Sequence, residues 1–190
     1  MLAPLRIEAW AARRAAPSAD VMRTGMGAER SRAAAAVAAS RPARAVAVLG
    51  FCGALSEDLE PGSVVLADEL RGNGAPLDFQ PLQQLVKELE LAGVEALRGP
   101  IVSVPKMARG VSRSRLAEDG SVAVDMESAW LAAAAAGRPF AALRAVVDTP
   151  SRELVRISTV NGGIKAYRAL GRAARALDCW AATLPDDKET

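Results

Sequence analysis

Short apolar runs alternate along this chain with longer amphipathic or alanine-rich stretches, a pattern typical of βαβ units. The apolar runs predict strands at residues 2–5, 20–23, 45–51, 64–70, 101–104, 122–127 and 140–147. The intervening periodicity predicts helices at 8–16, 28–40, 82–89, 128–136 and 164–184. Residues 71–80 predict a loop, and Asn161-Gly162-Gly163 predict a break before the final helix.

These elements predict one α/β domain over residues 1–190, a three-layer αβα sandwich around a mostly parallel or mixed central sheet. A chain of 190 residues is long enough to form one domain with a substantial core. The first strand is expected to be truncated, because few residues precede Glu8.

Composition narrows the classes of function. The chain has 24 basic and 22 acidic residues, and its arginines are scattered along the sequence, so a nucleic-acid partner has little support. Two cysteines without CxxC spacing predict a reducing compartment and no zinc site, and no cofactor is expected. No apolar run approaches the roughly 20 residues that cross a bilayer, and the N-terminus lacks a signal-peptide layout. We therefore expect a cytoplasmic protein without an integral membrane segment.

Acidic side chains end two of the predicted strands. The strand at 122–127 ends in Glu127, and Asp148 follows the strand at 140–147. We expect these strands to be neighbours, with both acids at the sheet edge where ligands of parallel α/β proteins bind. Since the chain has no histidine, acid–base chemistry must use carboxylates, Lys, Tyr or Cys. Spacing alone leaves a structural role equally open, because Asp125 and Glu127 also suit a helix N-terminus and Asp148 suits a turn.

Two glycine turns are further candidates for binding. Gly25-Met26-Gly27 precedes a predicted helix and would present backbone N–H groups to an anion, although a tight turn explains it equally well. Gly50 to Gly53 follow the most hydrophobic strand, where glycine indicates either close approach of a ligand or a simple turn. Cys52 lies in this turn, but no histidine or cation stands beside it to activate a thiolate.

Read together, these segments resemble the nucleoside phosphorylase/nucleosidase superfamily. Glycine turns, an AVDMESA segment and a strand ending in Asp148 occur in the family's order, and AVDMESA is the most specific of them. The sequences LRIEA, VDMESA and LGRAAR resemble the bacterial hopanoid-associated phosphorylase group, which is implicated in removing adenine from adenosylhopane. The matching segments are 24–27, 50–55, 59–69, 99–103, 123–129 and 139–148.

The resemblance implies cleavage of the N-glycosidic bond of a purine nucleoside, with adenine as the base. Asp148 would donate a proton to N7 of the base, which requires a carboxyl group kept protonated by burial. Glu8 would activate water on the opposite face of the sugar, as in inverting glycoside hydrolysis. Glu127 would bind the ribose hydroxyls. The implied pocket is completed by Met126, Phe51, Cys52, Gly53, Val104 and Met107.

The same resemblance leaves alternatives open. Hexameric phosphorylases of the family hold phosphate with Arg and Ser at places that correspond to Val48 and Phe51, so we expect water as the nucleophile. Phosphorolysis, with phosphate as a co-substrate, remains the alternative through the amides of Gly25 and Gly27. A short 71–100 segment also fits a catalytically silent nucleoside-binding homologue. The resemblance further implies a homo-oligomer, a dimer or higher. Further candidate phosphate ligands are Arg23, Arg30 and Arg44.

Overall fold

Eight strands form one mixed sheet in the computed structural model, which describes residues 1–72, 74–78, 82–150 and 159–185. The strands are β1 Leu2–Ala3, β2 Met22–Arg23, β3 Val46–Ala54, β4 Val64–Arg71, β5 Leu77–Asp78, β6 Ala96–Ser103, β7 Ala123–Asp125 and β8 Phe140–Asp148. The helices are α1 Arg6–Ala15, α2 Ala28–Ala39, α3 Gln83–Leu91, α4 Val111–Glu118, α5 Ser128–Leu131 and α6 Thr159–Ala182. A 3₁₀ turn, Ala132–Ala135, follows α5.

Five of the strands close into a ring of hydrogen-bonded pairs. β3 pairs in parallel with β8, β8 pairs antiparallel with β4, and β4 pairs in parallel with β6. β6 then pairs in parallel with β7, which returns antiparallel to β3. β1 and β2 extend the sheet from β3, and β5 pairs with β4. The sheet is therefore mixed, as predicted.

Helices cover both faces of this sheet, which confirms the three-layer sandwich. Alternate residues of β3 face opposite sides: Ala47 and Leu49 pack with α1, α3 and α6, whereas Val46 and Val48 pack with α2 and α5. This alternation follows from the two-residue period of a strand. Within the described ranges, no helix combines the length and hydrophobicity that crossing a membrane requires.

The prediction that the strands carrying Glu127 and Asp148 are neighbours is wrong. β3 lies between β7 and β8, and Gly53 is paired with Val124 on one side and with Asp148 on the other. The two acids still approach the same region, because all three strands end there. The ring closure brings together strand ends that the order of the chain does not reveal.

The structure departs from the sequence-based elements at both glycine-rich segments. Asn161-Gly162-Gly163 lie within α6, which begins at Thr159, so the predicted break is wrong. A Cβ on Gly162 would lie 3.1 Å from Cβ of Pro61, so the glycine allows the helix to approach the turn before β4. Within the predicted loop at 71–80, β5 forms a short strand against β4.

The predicted helix at 128–136 divides into α5 and the 3₁₀ turn.

The first strand is short but fully integrated. β1 has two residues, both buried, and Leu2 pairs with Met22 on β2 and with Val48 on β3. Its brevity is as predicted, and the sheet edge beyond it is supplied by β2. α1 begins three residues after β1, which sets Glu8 close to the end of β3.

Candidate active site

A cavity of about 290 Å³ opens where β3, β7 and β8 end. It gathers residues from the first turn of α1, the end of β3, the segment before α4, and the turns after β7 and β8. Its walls are mostly apolar, with four carboxyl groups and one guanidinium among them. The predicted residues that line it are Glu8, Phe51, Cys52, Gly53, Val104, Met107, Met126, Glu127 and Asp148.

Glu8 is held rigidly at one wall of the cavity. Its side chain is almost completely buried, and one carboxylate oxygen accepts a 2.7 Å hydrogen bond from the Phe51 amide. The other oxygen accepts a 2.6 Å bond from the amide of Leu5, the residue that precedes α1. Burial raises the pKa of Glu8, while Arg144 and the two amides act in the opposite direction. Glu8 is thus an oriented carboxyl group that binds its proton more tightly than an exposed one.

Glu127 lies in the turn between β7 and α5. Its Oε1 accepts a 3.2 Å hydrogen bond from the Gly27 amide, and its Oε2 lies 3.7 Å from Nη1 of Arg144. Burial raises the pKa of Glu127, and the charge of Arg144 opposes this shift. The carboxyl group therefore stands between the glycine turn and the core of the sheet.

The predicted anion site at the glycine turn is not free to bind phosphate in this structure. The Gly27 amide already donates to Glu127, and the Gly25 amide donates to the carbonyl of Pro4 at 3.1 Å. Both glycines have a positive φ, so the turn needs them for its backbone conformation. Met26 between them lines the cavity instead. Arg23, Arg30 and Arg44 do not line it either.

A buried ion pair lies beneath these acids. Arg144 projects from the middle of β8, and its Nε lies 2.8 Å from Oδ2 of Asp125 and 3.0 Å from Oγ of Ser128. Asp125 in turn accepts hydrogen bonds from the amides of Glu127 and Ser128 and from the Ser103 hydroxyl. Asp125 therefore has the structural role at the start of α5 that the sequence left open. The network fixes the turn that carries Glu127.

Asp148 is paired with Arg113, a residue that the sequence analysis did not identify. The two Asp148 carboxylate oxygens lie 3.1 and 3.2 Å from Nη2 and Nη1 of Arg113, and both residues are buried. Arg113 also donates twice to the Ala54 carbonyl, at 2.9 and 2.7 Å. A bidentate pair of this kind combines charge-assisted hydrogen bonds with a fixed mutual orientation. Arg113 therefore orients the Asp148 carboxyl group, and the role of Asp148 as a proton donor to the base stays a prediction.

Arg144 and Arg113 were not predicted as site residues, and the sequence around them differs in how strongly it indicates a buried charge. Arg144 interrupts an otherwise apolar strand, FAALRAVVD, and a charge in a buried strand requires a buried partner. Arg113 lies in α4, whose VSRSRLAE sequence shows little helical periodicity, so nothing local marks it. Cys52 behaves as expected: burial raises the pKa of its thiol, so it is not an activated nucleophile.

The ring-closed sheet, the two helical layers and the acid-lined cavity at the strand ends define an α/β protein of the nucleoside phosphorylase fold. The chain belongs to the Phosphorylase superfamily, whose family model matches residues 19–176. This assignment confirms the prediction of a nucleosidase- or phosphorylase-type enzyme. A search of curated protein sequences gives no significant match.

Solved structures support the same fold. A futalosine hydrolase of Helicobacter pylori has a TM-score of 0.76 and 17% identity, with 96% of each chain covered. An S-adenosylhomocysteine nucleosidase of Streptococcus pyogenes has a TM-score of 0.76 and 20% identity, covering 97% of this chain and 96% of its own. A 5′-methylthioadenosine/S-adenosylhomocysteine nucleosidase of Campylobacter jejuni reaches a TM-score of 0.78 at 15% identity, covering 96% of this chain and 97% of its own.

Gly50 tests the described packing of Glu8 and Arg144. A Cβ on Gly50 would contact Nη1 of Arg144 and lie 2.8 Å from Oε1 of Glu8. We expect Gly50→Ala to lower the free energy of unfolding by about 1–3 kcal/mol, as overpacking of a buried site does. Denaturant unfolding measures this change.

Gly171→Ala is the matched control, because among the described residues no heavy atom outside its chain neighbours and the nearby backbone of α6 lies within 4 Å of its Cβ position. Alanine there should raise the stability by about 0.5–1 kcal/mol through helix propensity. Equal unfolding midpoints for Gly50→Ala and the parent protein would contradict the close approach of Arg144 and Glu8 to Gly50.

Proposed function

We propose that the protein hydrolyses the N-glycosidic bond of an adenine nucleoside. The observation that carries this proposal is the convergence of Glu8, Glu127 and Asp148 on one cavity. Breaking this bond develops positive charge on the ribose and negative charge on the departing base. A site built on carboxyl groups can bind the sugar hydroxyls, activate water and fix the base without a metal ligand or a histidine.

Glu8 and Glu127 are the groups that we assign to water and sugar. Glu8 is held by the amides of Leu5 and Phe51, so its carboxylate has a fixed orientation towards the cavity. It would remove a proton from water as that water attacks the anomeric carbon. Glu127 would accept hydrogen bonds from the ribose hydroxyls, and Met126 would pack against the ring. The ribose would then lie between the two acids.

Asp148 is the group that we assign to the base. Its carboxyl oxygens, which Arg113 orients, would accept a hydrogen bond from the 6-amino group of adenine. As the bond breaks, N7 of the departing base would take a proton from solvent water, and the Asp148 carboxyl oxygens would accept a hydrogen bond from the N7–H so formed. Glu8 would return the proton of the attacking water to solvent. The charge of Arg113 keeps the pair neutral as a whole, so the pair does not repel the electron-rich leaving base.

Water is favoured over phosphate as the nucleophile for an electrostatic reason. Among the described residues, Arg113 is the cation that lines the cavity, and its donors are directed to Asp148 and Ala54. Glu8 and Glu127 occupy the neighbouring walls, and two acids would repel a phosphate dianion. Phosphorolysis remains the alternative if a substrate complex rearranges these groups.

The proposal extends to a nucleoside with a large apolar 5′ group, such as adenosylhopane. Met26 and Met107 line the cavity, and the two residues are 43% and 50% exposed. Flexible, polarizable methionines suit an irregular apolar substituent. In the predicted homo-oligomer, a second copy would cover part of this opening.

Adenine release tests the reaction directly. We expect the full chain to liberate adenine from adenosine at the same rate with and without inorganic phosphate, as followed by chromatography. Strict dependence on phosphate would replace hydrolysis by the phosphorylase alternative. Thermal stabilisation by adenine without any turnover would instead indicate a nucleoside-binding homologue.

The pH dependence tests the assignment of Glu8 as base. Glu8 must be ionised to accept a proton, and burial holds its pKa above the ordinary value of 4.5. kcat/KM should therefore rise with pH through this raised pKa and be lost below it. Glu8→Gln should lower kcat/KM by about 10²–10⁴-fold and abolish this acidic limb. Glu90→Gln, at an exposed position on α3, is the control and should retain the parent profile.

Base selectivity tests the assignment of Asp148 to the 6-substituent of the purine. The parent protein should prefer adenosine to inosine, because the proposed hydrogen-bond acceptor at Asp148 would meet the amino group of adenosine but the acceptor O6 of inosine. Asp148→Asn supplies an amide donor, so we expect the adenosine-to-inosine ratio of kcat/KM to fall by about 10–100-fold, the value of a hydrogen bond to a charged group.

Asp119→Asn, at an exposed position beyond α4, serves as the matched substitution for this test and should leave the ratio unchanged. An unaltered ratio in Asp148→Asn would place the 6-substituent of the purine away from this carboxyl group.

A further inference from the structure

The exposed sides of α1 and α6 form one strongly basic surface. The two helices are adjacent: the rings of Trp10 and Tyr167 stack with 5.9 Å between their centroids, and Arg14 lines a surface groove together with Arg168 and Arg172. We call this surface the α1/α6 basic face. Its exposed cations are Arg6, Arg13 and Arg14 on α1 and Lys165, Arg168, Arg172 and Arg175 on α6.

Few acids offset these charges. Within the described residues, none of the seven cations forms an ion pair with a carboxylate. The described acids on the two helices are Glu8, which is buried and faces the cavity, and Asp178, which is partly buried and also lines the groove. Since the whole chain carries a formal net charge of only +2, its positive charge is concentrated here. The arginines that are scattered along the sequence are thus brought together by the fold.

Large apolar side chains are exposed on the same face. Ile7, Trp10 and Ile164 are 50%, 57% and 46% exposed. Ile7 directly precedes Glu8, and Ile164 directly follows Gly163, and both Glu8 and Gly163 line the cavity. The apolar part of the α1/α6 basic face therefore borders the opening of the candidate active site.

We infer that the α1/α6 basic face docks on the surface of an anionic lipid bilayer. The arginines and Lys165 complement the negative headgroups, while Ile7, Trp10 and Ile164 would enter the boundary between headgroups and acyl chains. Helices that lie on membranes combine a basic face with tryptophan and aliphatic residues in this way. Each basic residue near such a surface contributes about 1 kcal/mol, or roughly fivefold in binding.

The apolar residues favour a membrane over a nucleic acid. Single strands bind proteins by stacking bases on exposed aromatic faces. Here Tyr167 stacks on Trp10, and the guanidinium of Arg14 lies 5.9 Å from the centre of the Trp10 ring. The Trp10 ring therefore already has protein partners where a base would stack. Ile7 and Ile164 offer no stacking surface, but the transfer of their side chains from water into a bilayer is favourable. Docking would also bring the cavity opening to the bilayer, where a nucleoside with a lipid 5′ group would reside; that last consequence rests on the proposed function.

Vesicle flotation tests the inference with the full chain. We expect binding to phosphatidylcholine vesicles that contain about one third phosphatidylglycerol, no binding to pure phosphatidylcholine, and weakening as salt is raised, because the charges are screened. Arg168→Glu with Arg172→Glu should lower the partition coefficient at least 25-fold, about fivefold for each site. Ile7→Ser with Ile164→Ser should weaken binding in a manner that salt does not reproduce.

Matched substitutions elsewhere separate this face from general charge. Arg98→Glu with Arg115→Glu changes the net charge equally at exposed positions on β6 and α4, and Leu91→Ser removes an apolar side chain that is 82% exposed. Both controls should bind vesicles more tightly than the variants of the basic face. Hydrolysis of adenosine in solution should be the same in all these variants, so vesicle binding and the proposed reaction fail independently.

Three outcomes would overturn the inference. The first is a lack of binding to anionic vesicles at low salt. The second is an equal loss of binding in Arg98→Glu/Arg115→Glu. The third is a different partner for this face: the protein does not bind vesicles, but it binds single-stranded RNA or self-associates in light scattering. In that case Arg168→Glu/Arg172→Glu would abolish the RNA binding or the self-association.

Discussion

The fully buried guanidinium of Arg144 is the constraint on which the candidate site depends. It extends from β8, pairs with Asp125 at the end of β7, and lies 3.3 Å from the carbonyl of Phe51 on β3. One side chain thus joins the three strands that end at the cavity. Removing one partner from a buried ion pair leaves an uncompensated charge, which typically costs several kcal/mol. Asp125 therefore supplies the buried partner that a charge in the middle of an apolar strand requires.

The balance of charge around Arg144 also determines the chemistry of the cavity. One guanidinium faces three carboxyl groups, and Asp125 has the shortest contact with it, at 2.8 Å. Glu8 and Glu127 lie farther away, so burial prevails and raises the pKa of both. Asp148 belongs to a separate pair with Arg113 on the other side of Gly53. The site therefore contains two carboxyl groups with raised pKa values, Glu8 and Glu127, and a separate pair of Asp148 with Arg113.

Much of this arrangement could be predicted from the sequence, and the remainder depended on tertiary contacts. Apolar runs predicted the bounds of β3, β4 and β8 to within a few residues, because buried strands have the strongest local pattern. The acids at 8, 127 and 148 followed from their places at element ends and from the family resemblance. Gly162 led to the wrong prediction of a break, because glycine is common in turns. Here the glycine allows α6 to pack closely against Pro61, and the local sequence does not show this contact. Arg113 was missed because its partners are 59 and 35 residues away, at Ala54 and Asp148.

The closed ring of β3, β8, β4, β6 and β7 has a consequence for the behaviour of the chain at high concentration. A sheet that returns on itself leaves few unpaired backbone groups to recruit another strand. In the described part of the chain, the strands that terminate the sheet are β2 and β5, and each has two residues. Edges this short give an incoming strand little template for growth. The fold thereby protects an alanine- and valine-rich sheet from intermolecular pairing and aggregation.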